Sequence, residues 1–265
     1  MSERVLIDKA GGVLTITLNR PEKKNALTSA DYTRLGGAID AANDEPEVRA
    51  ILLQANGDMF TAGHDVSEFA AINAGDSGVR PSGDRPASDR PSGEPFLLAL
   101  ANARKPLVAA VHGRAVGIGL TMLLHCDLVY VAEDALLSCP FVSLALIPEA
   151  ASSLLLPARI GHVRAFEMFT LGTPIDGRTA AAWGIANAAL PAGEVQAKAR
   201  AAAQALAAQP ATAVRVTKAL MRDVPAMTQR IDQEFGHFYA QLKSPEAREA
   251  FTAFFEKRPA DFSKI

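Results

Sequence analysis

Short apolar runs of strand length alternate with helical patterns along the first two thirds of the chain, and this alternation constrains the fold most. A hairpin is predicted from residues 5–7 and 13–18, and buried strands at 50–54, 107–111, 128–131 and 136–138. A helix with apolar residues at helical spacing is expected from Thr28 or Ser29 to about residue 43. Buried strands separated by helices need crossover connections, so the pattern predicts an α/β fold.

The two ends of the chain differ in pattern. From Ala150 onward almost every segment reads as helix, with Ala-rich amphipathic stretches at 193–208, 210–222, 226–242 and 245–256. We therefore expect a core over residues 1–200 and a helical C-terminal region over 201–265. Residues 73–95 are rich in Gly, Ser, Pro and Asp. They predict a flexible loop, either a lid beside a site or a tolerated insertion.

Charge and composition exclude several classes of function. A formal net charge of -2 and 6% aromatic residues give no overall attraction to nucleic acid or to an anionic membrane surface. No apolar run approaches the roughly 18 residues of a membrane span, and charges occupy the start of the chain. These features predict a cytoplasmic protein with neither nucleic acid nor membrane as a partner.

Neither a metal site nor a dinucleotide site is predicted. The two cysteines, Cys126 and Cys139, are too few for a disulfide framework and have no neighbouring His/Cys pattern, so we expect both to be buried thiols. The Gly117-x-Gly119 pair lacks the third glycine and the distant acid of a dinucleotide fingerprint. The expectation is therefore no bound metal and no separate cofactor.

Two turn segments carry the chemistry that the sequence offers. Met59-Phe-Thr-Ala-Gly-His-Asp65 and Ala115-Val-Gly-Ile-Gly-Leu120 each follow a buried strand and open a helix. Backbone N–H groups are unpaired at such places, and two of them aimed at one point would form an oxyanion hole. Spacing alone leaves a second interpretation open, in which the glycines only make tight turns.

The same segments resemble the crotonase (enoyl-CoA hydratase/isomerase) superfamily. Phe60-Thr-Ala-Gly-His-Asp65 is similar to its F-x-A-G-x-D motif, and residues 105–119 to its K-P-x-I-A-A-V-x-G-x-A-x-G-x-G motif. Similarity extends from the N-terminal hairpin to Lys257-Arg258. The resemblance implies a spiral of ββα units with a helical C-terminal trimerisation region, an acyl-CoA thioester substrate that brings its own coenzyme A, and a homotrimer or homohexamer.

By the same resemblance, the backbone N–H groups of His64 and Ile118 form the oxyanion hole. Asp65 is expected to hold its turn or cap the next helix rather than to catalyse. Lys257 resembles a lysine that meets a CoA phosphate, with Phe254 packing on the adenine side. The resemblance thus implies contacts to coenzyme A at the following positions: Asn25, Ala26, Ala62, His64, Asp65, Val66, Phe254 and Lys257.

The chain departs from the hydratases at both catalytic carboxylates. The family pattern has glutamates where this sequence has Thr121 and Phe141. Residues 140–153 instead resemble the P-F-S-x-L-x-x-x-P-E-x-x-S-S pattern of peroxisomal-type Δ3,Δ2-enoyl-CoA isomerases, with Val142 shifting the serine by one residue. That resemblance makes Glu149 the proton shuttle. Without the resemblance, an acid after a proline is also typical of the first turn of a helix.

These residues predict a Δ3,Δ2-enoyl-CoA isomerase. Isomerisation removes a proton from C2 and returns one at C4, so one weakly solvated carboxylate can do both and no water is consumed. Two alternatives stay open: an enoyl-CoA hydratase (a lyase) that reuses Glu149, and a non-catalytic CoA-binding scaffold.

Overall fold

The computed structural model of the protein describes residues 3–75 and 93–265. Over these residues the chain forms two sheets flanked by helices. The strands are β1 (Val5–Ala10), β2 (Val13–Leu18), β3 (Ala50–Ala55), β4 (Leu107–Val111), β5 (Arg114–Val116), β6 (Leu128–Ala132), β7 (Leu136–Ser138), β8 (Ile175–Asp176) and β9 (Ala188–Leu190).

The larger sheet has the strand order β1-β2-β3-β4-β6-β9. Its first two strands form the predicted antiparallel hairpin, with Val5 opposite Leu18 and Ala10 opposite Val13. The later pairings in this sheet are parallel. Its central strands are buried on both faces, as the continuous apolar runs predict.

The smaller sheet, in the order β5-β7-β8, gives the fold its spiral path. β4 leads directly into β5, and β6 leads into β7, so each of these two turns of the chain adds one strand to each sheet. β5 pairs parallel with β7, and β8 closes the sheet antiparallel to β7. The predicted α/β architecture and the spiral implied by the resemblance are both confirmed.

The helices connect the strands and then cover them. They are α1 (Ser29–Asp44), α2 (Val66–Asn73), α3 (Gly93–Asn102), α4 (Ile118–Thr121), α5 (Ser152–Ile160), α6 (His162–Thr170), α7 (Gly177–Ala182), α8 (Ala192–Ala208), α9 (Ala211–Leu220), α10 (Val224–Leu242) and α11 (Pro245–Glu256). Thr28 is the N-cap of α1, and its amide donates to the Asp31 carboxylate at 2.8 Å.

The C-terminal helices pack directly onto the earlier elements. α8 lies across β3, β4 and β6 and buries Ala199 and Ala203 completely, so the division expected at residue 200 falls inside a helix that covers the large sheet. α10 packs on α3, α2 and α5, and α11 packs on α2. These contacts bring side chains from the end of the chain to elements near its beginning.

Several local predictions are wrong. β5, β8 and β9 were not expected, because strands of two or three residues show no periodicity. α3 was missed, and the loop expected at 73–95 is too long at both ends, since α2 reaches Asn73 and α3 begins at Gly93. Residues 76–92 of that loop lie outside the described residues. Cys126 and Cys139 are buried thiols, as expected.

Within residues 3–75 and 93–265, no helix is long and apolar enough to cross a membrane.

Candidate active site

The two turn segments are joined by backbone hydrogen bonds. Thr61 N–H donates to Arg114 O at 3.0 Å, and Val116 N–H donates to Thr61 O at 3.1 Å. Thr61 and Ala115 thus form a parallel bridge that extends the small sheet by one residue. Because His64 and Ile118 follow this bridge by three residues each, the pairing brings their two turns together.

Two glycines make this close approach possible. Gly63 has φ +91°, and a Cβ added there would lie 2.8 Å from Val116 O. A Cβ at Gly119 would lie 2.6 Å from Thr61 Cγ2, and real Cβ contacts are not that short. The glycines therefore do more than turn the chain, because the approach of the two segments requires them.

The backbone amides of His64 and Ile118 are available to a ligand. Both residues line one cavity, and over the described residues neither amide donates to a protein acceptor. Free N–H groups of this kind can stabilise an oxyanion that develops in the cavity. These are the two amides that the resemblance assigns to an oxyanion hole, and that role stays a prediction.

The cavity is apolar and has a volume of about 140 Å3. The two turns, α2, α10 and the segment after β7 all contribute to its lining. Such a cavity favours an apolar acyl chain over a polar ligand. Its lining includes Tyr32, Ala62, His64, Val66, Phe69, Leu97, Ile118, Phe141, Leu146, Glu149, Phe235, Phe238, Tyr239 and Leu242.

Glu149 is the only acidic side chain among the described residues that line the cavity. The Thr121 hydroxyl donates to its Oε1 at 2.6 Å. The pKa of Glu149 is raised to about 8: desolvation by burial raises it most, the hydrogen bond from Thr121 lowers it, and the charge of Glu234 adds to the rise. A carboxylate with so high a pKa is a stronger base than an exposed glutamate.

The segment after Glu149 is not helical. Ala150 and Ala151 both have left-handed backbones, with φ of 60° and 54°, and α5 begins only at Ser152. The alternative placement of Glu149 in the first turn of a helix is therefore wrong. Left-handed non-glycine residues cost about 1 kcal/mol or more each, so contacts elsewhere must hold this segment in place.

The imidazole of His64 is an apolar wall of the cavity rather than a base. Its ring stacks on Phe69 at 3.9 Å between centroids and on Tyr32 at 5.4 Å. Burial lowers the pKa of His64 to about 4, so the ring is neutral at physiological pH. A ring with so low a pKa is a weak base, whereas the backbone amide of His64 can donate a hydrogen bond to a ligand in the cavity.

The predicted CoA contacts fall into two groups. Ala62, His64 and Val66 line the cavity, whereas the Asn25 side chain is engaged by the protein itself. Asn25 is 1% exposed, accepts from Arg20 N–H at 2.7 Å and donates to two backbone carbonyls. The carbonyl of Ala26 accepts from the Arg20 guanidinium at 3.2 Å.

Asp65 lies at the start of α2 and caps it. Its carboxylate accepts from the Ser67 hydroxyl and amide and from the Arg20 guanidinium, and these bonds hold its pKa below the usual range. The predicted capping role is confirmed. Phe254 and Lys257, at the end of α11, are outside the cavity lining, and Phe254 is 53% exposed. Their contact with coenzyme A stays a prediction.

Sequence reasoning missed the aromatic side chains that form the cavity walls. Phe235, Phe238 and Tyr239 follow helical spacing on α10 and read simply as a buried helix face. Tyr32 lies on α1 at the spacing of a buried helix face, and it lines the cavity. Burial raises its pKa well above the usual value, and the charges of Glu149 and Glu68 add to this effect. Helical periodicity alone does not distinguish a cavity wall from a packed core.

The fold and this site define an acyl-CoA-processing enzyme of the crotonase type. Residues 8–264 match the family model described as Enoyl-CoA hydratase/isomerase, and the chain belongs to that family.

Relatives within the family differ in the activities that their names state. An enoyl-CoA hydratase of Alternaria alternata, ACTT3, is 30% identical over 96% of this chain and 83% of its own length. Enoyl-CoA delta isomerase 2 of Rattus norvegicus is 29% identical over 97% of this chain and 65% of its own. The crystal structure of an enoyl-CoA hydratase/isomerase from Pseudoalteromonas atlantica T6c is 36% identical, with a TM-score of 0.88 over 98% of this chain and 100% of that one.

Proposed function

We propose that the protein is a Δ3,Δ2-enoyl-CoA isomerase that uses Glu149 as its single base. The observation that carries this proposal is one carboxylate with a raised pKa in an apolar cavity, beside two unpaired backbone amides. A relative named as an enoyl-CoA delta isomerase also supports isomerase activity.

The reaction needs few groups. The Glu149 carboxylate removes a proton from C2 of a 3-enoyl thioester, and the electrons move onto the thioester oxygen to give a dienolate. The amides of His64 and Ile118 donate to that oxygen, contributing roughly a hundred- to a thousandfold each. The Glu149 carboxyl then returns the proton at C4, which leaves the 2-enoyl thioester and restores the carboxylate.

The positions of the two hydratase glutamates favour isomerisation over hydration. Phe141 is an apolar wall of the cavity, and Thr121 serves Glu149 through its hydroxyl. Hydration needs one group to activate water and another to deliver a proton. A single carboxylate among apolar neighbours suits the transfer of a proton between two carbons better.

Parallel assays with 3-hexenoyl-CoA and crotonyl-CoA test the proposal. We expect the first to become conjugated 2-hexenoyl-CoA and the second to remain unhydrated. Conversion of crotonyl-CoA to the 3-hydroxy product would favour the hydratase. Tight acyl-CoA binding with neither reaction would favour the scaffold.

The activity should depend on pH through Glu149. Because the base must be ionised and its pKa is about 8, kcat/KM should rise as the pH increases toward 8 and level off above it. Thr121→Val removes a hydrogen bond that lowers this pKa, so the rise should move to higher pH. A profile that is flat from pH 6 to 9 would contradict Glu149 as the base.

We also propose that the protein assembles as a homotrimer or homohexamer. Val216, Leu220 and Met221 lie on or just after α9 and are 51%, 83% and 80% exposed, and apolar residues exposed together favour an interface. Sedimentation velocity should show a trimer or larger. A lone monomer at micromolar concentration would count against the assembly.

A further inference from the structure

Glu234 is a buried carboxylate that the reaction above does not use. It lies on α10 and is 4% exposed. Carboxylates are almost never buried this deeply unless they are paired or hydrogen-bonded. Its partners therefore indicate its role.

Those partners belong to the segment that follows Glu149. Glu234 Oε2 accepts from the Ala151 amide at 2.6 Å, and its Oε1 accepts from the Ser153 amide at 3.0 Å and from the Ser153 hydroxyl at 2.5 Å. One carboxylate thus fixes backbone N–H groups on both sides of the start of α5. It holds Ala151, one of the two left-handed alanines.

The other side of the same segment is fixed as well. His125 Nε2–H donates to Ala150 O at 2.7 Å, and His125 is 1% exposed. The two residues after Glu149 are therefore held by two different elements, α10 and the turn after α4. This double attachment offsets the backbone strain and fixes where Glu149 leaves the main chain.

We propose that Glu234 is a positioning residue that fixes the Glu149 carboxylate over the cavity, an inference that rests on the proposed function. It acts through the Ala151 and Ser153 amides and does not touch the substrate. No pattern in the sequence marks it, because it lies on a helix face otherwise used for packing.

The charge of Glu234 acts in addition to its hydrogen bonds. The pKa of Glu234 is raised to about 7, because burial raises it by more than the bonds from Ser153 and Ala151 and the charge of Arg230 lower it. Arg230 lies on the same helix and donates to the Ser153 hydroxyl at 3.1 Å; from the facing segment, the charged neighbour is Glu149. Two like charges near each other raise the pKa of Glu149.

Glu234→Gln tests this role, because the amide keeps the shape but loses the charge and presents an NH2 group where a carboxylate oxygen accepts. We expect kcat to fall about tenfold with KM within about twofold. The rise in kcat/KM should move to lower pH, opposite to the shift in Thr121→Val. Glu194→Gln makes the same charge change on the exposed face of α8. It should change neither kcat nor the pH at which kcat/KM rises.

An infrared titration of the carboxyl groups separates this inference from the proposed function. The band lost in Glu149→Gln identifies Glu149, and we expect its pKa to be lower in Glu234→Gln whether or not the protein isomerises 3-hexenoyl-CoA. If Glu234→Gln does not fold, Ser153→Ala serves instead: it removes one bond to Glu234 and should lower kcat at unchanged KM. A folded Glu234→Gln protein with unchanged kcat and an unchanged Glu149 titration would overturn the inference. If Glu234→Gln does not fold, a Ser153→Ala protein with unchanged kcat would overturn it.

Discussion

Replacing Glu149 by glutamine is expected to abolish isomerisation while acyl-CoA binding persists. The amide keeps the shape of the side chain, and its oxygen still accepts from the Thr121 hydroxyl. It is no longer a base, so we expect kcat to fall by about a hundred- to ten-thousandfold. Steady-state kinetics with 3-hexenoyl-CoA measure the loss. Asp65→Asn retains a capping side chain and should cost far less.

The same variant should be more stable than the parent protein at neutral and alkaline pH. The folded protein raises the Glu149 pKa from 4.5 to about 8. That carboxyl therefore stabilises the fold most below pH 4.5, and this contribution is lost as the pH rises to about 8. Glutamine has no charge to desolvate, so the free energy of unfolding of Glu149→Gln should exceed that of the parent by a few kcal/mol at about pH 8. Near-parental activity together with equal stability would remove Glu149 from the mechanism.

Adding one methyl group at Gly119 should also impair catalysis, by up to about a hundredfold. A Cβ there would lie 2.6 Å from Thr61 Cγ2. Thr61 cannot easily yield, because it is fully buried, its hydroxyl donates to Asn25 O at 2.6 Å and it accepts from Gly63 N–H at 3.0 Å. Gly119→Ala should therefore push the two turns apart and displace the amides of the oxyanion hole.

A second substitution should restore the activity that Gly119→Ala loses. Thr61→Ser removes Cγ2 but keeps the hydroxyl, so Thr61→Ser/Gly119→Ala should recover kcat/KM to within a few-fold of Thr61→Ser alone. Gly37→Ala is the matched control, because its Cβ meets nothing within 4 Å. It should leave activity unchanged and stabilise α1 by about 0.5–1 kcal/mol. Gly119→Ala activity equal to that of Gly37→Ala would contradict the requirement for a close approach.

The elements whose apolar residues form long continuous or periodic patterns could be predicted from the sequence. The hairpin, the central strands and the long C-terminal helices all bury continuous or periodic apolar faces, and these faces show in the order of residues. β8 and β9 are too short to show a period, and they exist because neighbouring strands offer hydrogen-bond partners. Such pairing depends on tertiary structure.

In the candidate site, too, some residues could be predicted from the sequence and others depend on tertiary packing. Glu149 and the two amides follow from motifs contiguous in sequence, so resemblance finds them. Tyr32 and Glu234 reach the site through the packing of α1 and α10, and a single sequence does not state which helices meet. Phe254 and Lys257 were assigned to coenzyme A by resemblance alone, and the cavity lining does not include them.

The central claim, a proton carried by one glutamate from C2 to C4, is tested most directly with 3-hexenoyl-CoA that carries deuterium at C2. In a single turnover in ordinary water, a shielded carboxylate should deliver part of that deuterium to C4 of the 2-hexenoyl-CoA product, and mass spectrometry with product fragmentation locates it. Glu149→Gln should form no such product. Formation of a 3-hydroxyacyl-CoA, or conjugated product with only solvent hydrogen at C4, would contradict the single-glutamate shuttle.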